Sequence, residues 1–169
     1  MNKKLKRLEI VGLVWGILAS FVFHFLYELT NNNKLVGLIA PVSESVWEHG
    51  KLLVFPFLIF AIVEYFILKP KDKANFFATK FLVAIINVLL LPVLFYTYSG
   101  IIGTHIVIID ILIAIVLVLL SYYISYSLLR LEHKFTNKYV MIIFGIAFVL
   151  LFFVFTFYPP SLGWFISPQ

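Results

Sequence analysis

Five long apolar stretches, separated by short polar connections, occupy most of the chain. A helix that crosses the hydrocarbon core of a bilayer needs about 20 mainly apolar residues, and each stretch is close to that length. The pattern therefore predicts an all-α, polytopic transmembrane bundle of about five helices, forming one domain over residues 1–169. The expected helices cover residues 10–29, 52–68, 76–96, 106–129 and 139–157.

The first apolar stretch follows a basic N-terminal segment, an order that is also typical of a secretory signal peptide. It continues to Leu29, however, whereas the apolar region of a signal peptide has only about 7–15 residues. No clear small-x-small cleavage site closes it. We therefore expect a retained first helix.

The composition indicates that lipid is the main solvent of this chain. Hydrophobic residues make up 63% of it and charged residues only 12%, whereas soluble domains carry about 25% charged residues. The absence of cysteine excludes disulfides, thiolate metal ligands and a cysteine nucleophile. The net charge of +5 does not indicate nucleic acid, because the basic residues lie in short connections between apolar stretches. Membrane lipids are the expected surroundings.

Lysine and arginine are distributed asymmetrically along the predicted zigzag of helices. Eleven of the thirteen basic residues fall on one side of it. By the positive-inside rule this side is cytoplasmic. We therefore expect a multi-pass protein of the cell membrane with its N-terminus in the cytoplasm and its C-terminus outside. Glu64 is expected to extend to the cytoplasmic interface. The eleven basic residues are Lys3, Lys4, Lys6, Arg7, Lys69, Lys71, Lys73, Lys80, Arg130, Lys134 and Lys138.

Small residues recur every four positions on the first predicted helix, at Gly12, Gly16 and Ser20. Small residues at this spacing let two helix backbones approach closely in lipid. The stripe has two interpretations. It is either the seam of a homodimer or a contact with another helix of the same chain.

The predicted topology gathers the rare ionisable residues at the outer end of the bundle. Three of the four histidines and four acidic residues lie there, whereas His133 lies on the cytoplasmic side. Ionisable residues within a membrane usually face the bundle interior and have partners, so we predict a polar site at this end. Its members are His24, Glu28, Glu44, Glu48, His49, His105 and Asp110.

Two spacings within this group have both a functional and a structural interpretation. His24 and Glu28 are four residues apart and share a helical face, so they either bind one metal ion or only fix helix packing. Ser45 and Glu48 fit a capping box, which would simply begin the second helix. Residues 34–51 are expected to form an interfacial or re-entrant segment.

Histidine and carboxylate side chains are suitable ligands for zinc, and a catalytic zinc site keeps one position open for water. The polar site is therefore a candidate site for zinc or another divalent metal. The candidate catalytic residues are Glu48, as a general base, and Glu44. The candidate metal ligands are His24, His49, His105, Asp110 and Glu28.

The strings His24-Phe-Leu-Tyr-Glu28, Asn32-Asn-Lys-Leu-Val-Gly37 and Pro41-Val-Ser-Glu-Ser-Val-Trp-Glu-His49 resemble a family of small bacterial integral membrane proteins classed as a domain of unknown function. The similarity extends over most of the chain. In the family's pattern, Asn stands where this chain has Ser43. The resemblance implies that the strings act as one unit, and it implies no particular reaction.

Three classes of function are compatible with these residues. The first is a metal-dependent membrane enzyme, a hydrolase or acyl transferase that acts on a lipid-linked substrate at the outer face. The second is a cation- or proton-coupled transport or ligand-binding protein, since intramembrane carboxylates and histidines also serve in such pathways. The third is a structural or regulatory membrane protein in which the polar residues only stabilise the fold.

Overall fold

A computed structural model describes residues 2–131 and 133–168 of the chain. This part contains five α-helices and no strand, and all five helices are long and apolar enough to cross a membrane. The prediction of an all-α bundle of about five such helices is confirmed. The helices are α1 (Asn2–Leu29), α2 (Val46–Leu68), α3 (Lys73–Ile102), α4 (Val107–Arg130) and α5 (Lys138–Phe157).

Two helices extend beyond the apolar stretches that predicted them. The first helix begins at Asn2 rather than near residue 10, and α3 covers Lys73–Ile102 rather than residues 76–96. Lysine, arginine, glutamate and leucine all have high helix propensity. The helical backbone therefore continues past the point at which the sequence stops being apolar.

Residues 34–51, the predicted interfacial segment, divide into a loop and the first turns of α2. The loop contains a short 3-10 helix, Val36–Leu38. Ser45 is the N-cap of α2, and its hydroxyl accepts a hydrogen bond from the backbone N–H of Glu48 at 3.3 Å. The Glu48 carboxylate does not complete a capping box, because it accepts from the N–H of Val42 at 2.8 Å instead.

Lys51 attaches this loop to α2 from inside the protein. Its Nζ donates to the carbonyl oxygens of Gly37 at 2.6 Å and Ala40 at 3.3 Å, and to the Glu48 carboxylate at 2.6 Å. The Lys51 side chain is fully buried. Buried backbone carbonyls need hydrogen-bond donors, and Lys51 serves as the donor to two carbonyls of the loop.

Four of the helices form a closed bundle. The first helix packs against α2 and α4, α3 packs against the same two helices, and α5 lies outside the ring against α3. The bundle has two distinct ends. We call the end with the N-terminus and the α2–α3 and α4–α5 connections the basic end, and the opposite end the histidine end.

Apolar side chains cover the outside of the bundle as well as its core. Leu18 on α1, Val116 on α4 and Phe144 on α5 are more than half exposed. A water-soluble protein rarely exposes continuous apolar surface on this scale. The distribution is typical of a protein that is surrounded by lipid.

The small residues of α1 are used within the chain. A Cβ atom on Gly12 would lie 2.4 Å from the ring of Tyr122 and 2.6 Å from that of Phe60, so neither ring leaves room for a side chain there. Ser20 Oγ donates to the backbone oxygen of Leu52 at 2.7 Å, and a Cβ on Gly16 would also meet Tyr122. The stripe therefore allows α1 to approach α2 and α4 closely.

The placement of Glu64 and Lys80 differs from the sequence-based expectation. Both side chains are fully buried inside the bundle, and they form an ion pair with each other. Lys80 was counted with the basic connection after the second helix, although the predicted third helix at residues 76–96 already included it. It lies in the second turn of α3. The Glu64 side chain therefore does not extend to the cytoplasmic interface, because its partner Lys80 lies within the bundle.

Candidate metal centre and its cavity

A cavity of about 430 Å³ lies at the histidine end, between the four helices of the bundle. Cavities of about 300–1,000 Å³ are typical of small-molecule sites, especially when apolar walls surround a few polar groups. Most of the lining residues here are apolar, with contributions from α1, α2, α3 and α4. The ionisable residues that line it are His24, Glu44, His49, His105 and Asp110.

Three of these residues come together at one point of the wall. The carboxylate Oε2 of Glu44 lies 3.8 Å from Nε2 of His24 and 3.4 Å from Nε2 of His49. One ligand atom from each of the three residues can be chosen so that all lie within 4.8 Å of one another. We call His24, Glu44 and His49 the triad.

Local structure explains why the triad forms. His24 lies just over one turn before the end of α1, and His49 lies in the first turn of α2. Glu44 is the residue immediately before the N-cap, Ser45. The close contact between α1 and α2 therefore brings the end of one helix beside the start of the next.

One ring nitrogen of His49 has a defined partner. Its Nδ1 lies 3.0 Å from the backbone oxygen of Ser45, so the tautomer that satisfies this contact carries its proton on Nδ1. Nε2 then presents a lone pair toward Glu44. A backbone carbonyl that fixes the tautomer of a ligating histidine is a usual feature of metal sites.

His24 also has a free nitrogen. Its Nδ1 is buried and has no hydrogen-bond partner in residues 2–131 and 133–168. The side chains of His24 and His49 are 32% and 30% exposed, and that of Glu44 is 68% exposed. Two histidines at the cavity wall and an exposed carboxylate form a donor set that fits a divalent metal ion.

A second pair lines the same cavity. His105 Nδ1 lies 3.1 Å from Oδ2 of Asp110, and the hydroxyl of Tyr98 donates to Oδ1 of the same carboxylate. His105 precedes α4, which begins at Val107. Because His105 lies in the connection, it can turn back to meet Asp110 in the first turn of that helix. A carboxylate that holds one nitrogen of a histidine leaves the other nitrogen available for proton transfer.

The comparison with protein families is decisive at this point. A family model described as "Family of unknown function (DUF6512)" matches residues 1–168. The chain belongs to this family. The resemblance drawn from its polar strings is thereby confirmed for nearly the whole length. No curated protein and no solved structure matches the chain.

In this DUF6512 chain, two of the candidate site residues lie away from the cavity. Glu28 is exposed on α1 and does not line it. Glu48 is buried on another side of α2, where its carboxylate contacts Lys51 at 2.6 Å and Thr156 Oγ1 at 3.4 Å. It lines a separate, smaller cavity of about 210 Å³. An ion-paired carboxylate with these partners is poorly suited to accept a proton in the main cavity.

Two residues of this DUF6512 chain were not assigned to the predicted polar site. Tyr98 holds Asp110, and Lys51 holds Glu48. The signal for Tyr98 was a hydroxyl two residues after the predicted third helix, at the end of the bundle where Asp110 was expected. For Lys51 the signal was its spacing of three residues from Glu48, which places both on one face of a helix.

Proposed function

We propose that this protein is a metal-dependent membrane enzyme, a hydrolase or acyl transferase that acts on a lipid-linked substrate at the histidine end. The observation that carries the proposal is the triad, His24, Glu44 and His49, in the wall of a largely apolar cavity. Such a combination provides a polar reaction centre beside a surface that can hold a hydrocarbon chain.

The triad supplies the metal ligands. Two imidazoles and one carboxylate are the protein ligands of one well-known class of catalytic zinc site, which leaves further positions for water and substrate. His24, His49 and Glu44 would hold zinc or another divalent ion. The ion, when bound, supplies Lewis-acid polarisation of a carbonyl or phosphoryl oxygen.

His105 is the residue that we assign to proton transfer. The Asp110 carboxylate accepts a hydrogen bond from the Nδ1–H of His105 and thereby orients the ring. The hydroxyl of Tyr98 in turn donates to Asp110. A histidine oriented in this way can take a proton from an attacking hydroxyl and return it to a leaving group. This assignment replaces Glu48, whose carboxylate is engaged with Lys51.

The walls of the cavity favour an amphiphilic substrate. Its lining includes Phe21 and Phe25 on α1 and Val107 and Ile111 on α4, which are also exposed on the outer surface of the bundle. An apolar surface that extends from the outside of the bundle into the cavity would give a lipid chain a path from the bilayer to the site. By the positive-inside rule, the asymmetry of the basic residues supports an outer-leaflet location for this end.

Metal analysis tests the first part of the proposal. The wild-type protein, purified in detergent without chelator and dialysed against zinc, should carry about one equivalent of metal per chain. His24→Ala and His49→Ala should weaken metal binding by more than the roughly 10–100-fold that loss of a ligand's hydrogen-bond partner costs. Mass spectrometry with an inductively coupled plasma source measures the metal content.

The matched control is His133→Ala, which removes a histidine from the basic end and should leave the metal content unchanged. Wild-type protein that takes up no metal after dialysis against zinc would overturn the metal site. Equal loss of metal in the control would show that binding is not due to the triad.

Turnover tests the second part. Metal-loaded protein in nanodiscs is incubated with lipids that carry ester-linked and phosphate-linked head groups, and mass spectrometry detects the released products. His105→Ala should lower turnover by roughly 10²–10⁴-fold, the usual contribution of general acid–base catalysis, and should retain the metal. Metal binding without metal-dependent turnover on any of these lipids would overturn the enzymatic assignment.

A further inference from the structure

A second polar group lies inside the bundle near the basic end, away from the triad. Each of the four bundle helices contributes one member: Glu9 on α1, Glu64 on α2, Lys80 on α3 and Ser125 on α4. We call these residues the buried quartet. Glu9 is 4% exposed and the other three are fully buried.

The quartet is closely connected. Lys80 Nζ donates to Glu9 Oε1 at 3.2 Å, to Ser125 Oγ at 2.7 Å and to Glu64 Oε2 at a shorter distance. Ser125 Oγ donates to Glu9 Oε1 at 2.6 Å. The rings of Phe57 and Phe76 lie 5.1 Å and 5.5 Å from the Lys80 ammonium. The buried ammonium therefore has three oxygen acceptors and two aromatic rings as neighbours.

The charges of the quartet do not balance. Two carboxylates face one ammonium, so that a fully ionised quartet would carry one uncompensated negative charge. Burying an unpaired charge costs several kcal/mol even after the surroundings relax. Lipid around the bundle does not reduce this cost, because hydrocarbon cannot solvate a charge. Among the described residues, Tyr122 of α4 is a titratable group close enough to interact with Glu64 and Glu9, and a tyrosine is neutral in its ordinary form.

Two carboxylate oxygens of the quartet are also unused. Glu9 Oε2 and Glu64 Oε1 are buried and have no hydrogen-bond partner in the part of the chain that the structure describes. A buried carboxyl oxygen without a donor is a poor place for charge and a suitable place for a proton. This observation is independent of the charge count and supports the same conclusion.

We propose that the buried quartet is a proton-binding site, in which Glu9 and Glu64 together hold one exchangeable proton at neutral pH. The proton resides on Glu9, because Glu64 has the closer contact with Lys80 and remains ionised. The quartet is then electrically neutral, as its burial requires. This site is separate from the triad and does not depend on metal binding.

Infrared difference spectroscopy tests this site directly, because a protonated carboxyl group has a carbonyl-stretch band that a carboxylate lacks. Wild-type protein in nanodiscs at neutral pH should show this band. Glu9→Gln should abolish it. Glu64→Gln should abolish it as well, since Glu9 then becomes the ionised partner of Lys80. Lys80→Met should increase the band about two-fold, because both carboxyl groups then need a proton.

The matched control is Glu28→Gln, which alters an exposed glutamate on the same helix as Glu9 and should leave the band unchanged. Circular dichroism verifies that each variant is folded, and Glu9→Gln alone decides the question where Lys80→Met fails to fold. A wild-type band that persists in folded Glu9→Gln and Glu64→Gln would overturn the proposal. So would a wild-type band that disappears when sodium replaces potassium, since a sodium ion would then provide the missing positive charge.

Discussion

At the scale of single residues, neighbouring side chains on the first turns of α2 have different tasks. His49 faces the main cavity, where its Nε2 approaches Glu44. Glu48 and Lys51 face the opposite way and attach the preceding loop. A single helical turn thus contains one residue that lines the main cavity and two that hold the preceding loop.

The pairing of Glu48 with Lys51 predicts a stability effect. Glu48→Gln should destabilise the protein by about 3–5 kcal/mol, because it leaves the fully buried Lys51 ammonium without a counter-charge. Chemical unfolding in detergent, followed by circular dichroism, measures the free energy of unfolding. The metal content should not change, since Glu48 does not line the cavity.

A double-mutant cycle separates this pair from general damage. The effects of Glu48→Gln and Lys51→Met should be non-additive by about 0.5–3 kcal/mol, as is usual for residues in direct contact. Strict additivity would contradict a shared ion pair. Loss of turnover in a stable, metal-loaded Glu48→Gln protein would restore Glu48 as a candidate base.

At the scale of helices, the close approach of α1 to α4 depends on Gly12. Gly12→Ala should destabilise the protein by about 1–3 kcal/mol, since the new methyl group has no space beside Tyr122 and Phe60. Thermal unfolding in detergent provides the measurement. Gly100→Ala on α3 is the control, because a Cβ there meets nothing within 4 Å and should be neutral or slightly stabilising.

The same pair of variants distinguishes the two interpretations of the small-residue stripe. If Gly12 lies in a seam within the chain, Gly12→Ala lowers the thermal stability and leaves the oligomeric mass unchanged. A seam between two copies would instead give a smaller assembly with little change in the stability of each chain. Light scattering in detergent measures the mass.

The N-terminus of α3 predicts a pH dependence. A hydrogen bond from Lys138 and one from the backbone N–H of Asn75 hold the pKa of Asp72 below its usual range. A lowered pKa in the folded state means that the ionised form contributes stability above the unfolded pKa of about 3.9. This contribution disappears as the pH falls through the folded pKa.

Comparison with Asp72→Asn isolates that contribution. The melting temperature of the wild type should exceed that of the variant by a constant amount above about pH 5 and by a shrinking amount below about pH 4. Differential scanning fluorimetry across this range provides the measurement. A difference that stays constant down to pH 3 would show that the Asp72 charge has no part in stability.

Helix number was predictable from the sequence, but the buried quartet was not. Hydropathy located all five helices because lipid demands about 20 apolar residues in each. The same criterion began the third helix at residue 76 rather than at Lys73, and Lys80 was counted with the basic connection although it fell inside that predicted helix. Glu64 then lacked a visible partner and was assigned to the interface. Contact among side chains from four helices is a tertiary property that no local pattern reveals.

At the scale of the whole molecule, the convergence of His24, His49, His105 and Asp110 on one cavity followed from topology. A zigzag of five helices places alternate connections at the same end, so residues near those connections become neighbours. The division of these residues into a triad and a separate pair could not be predicted. It depends on the loop before α2, where Glu44 turns toward the two histidines.

The orientation of the bundle remains a prediction, and the absence of cysteine makes it simple to test. Single variants Lys34→Cys and Lys71→Cys place a thiol at exposed positions at the histidine end and the basic end. A membrane-impermeant maleimide should label Lys34→Cys in intact cells and Lys71→Cys only after the membrane is opened. The reverse pattern would place the histidine end in the cytoplasm and contradict the positive-inside assignment.

The spacing between the triad and the buried quartet has an electrical consequence. Fifteen residues separate Glu9 from His24 on α1, and fifteen separate His49 from Glu64 on α2. At 1.5 Å per residue each interval is about 22 Å, roughly three quarters of a 30 Å hydrocarbon core. A unit charge that moved from one group to the other would therefore cross most of the membrane voltage. The associated work is about 1.7 kcal/mol for every 100 mV.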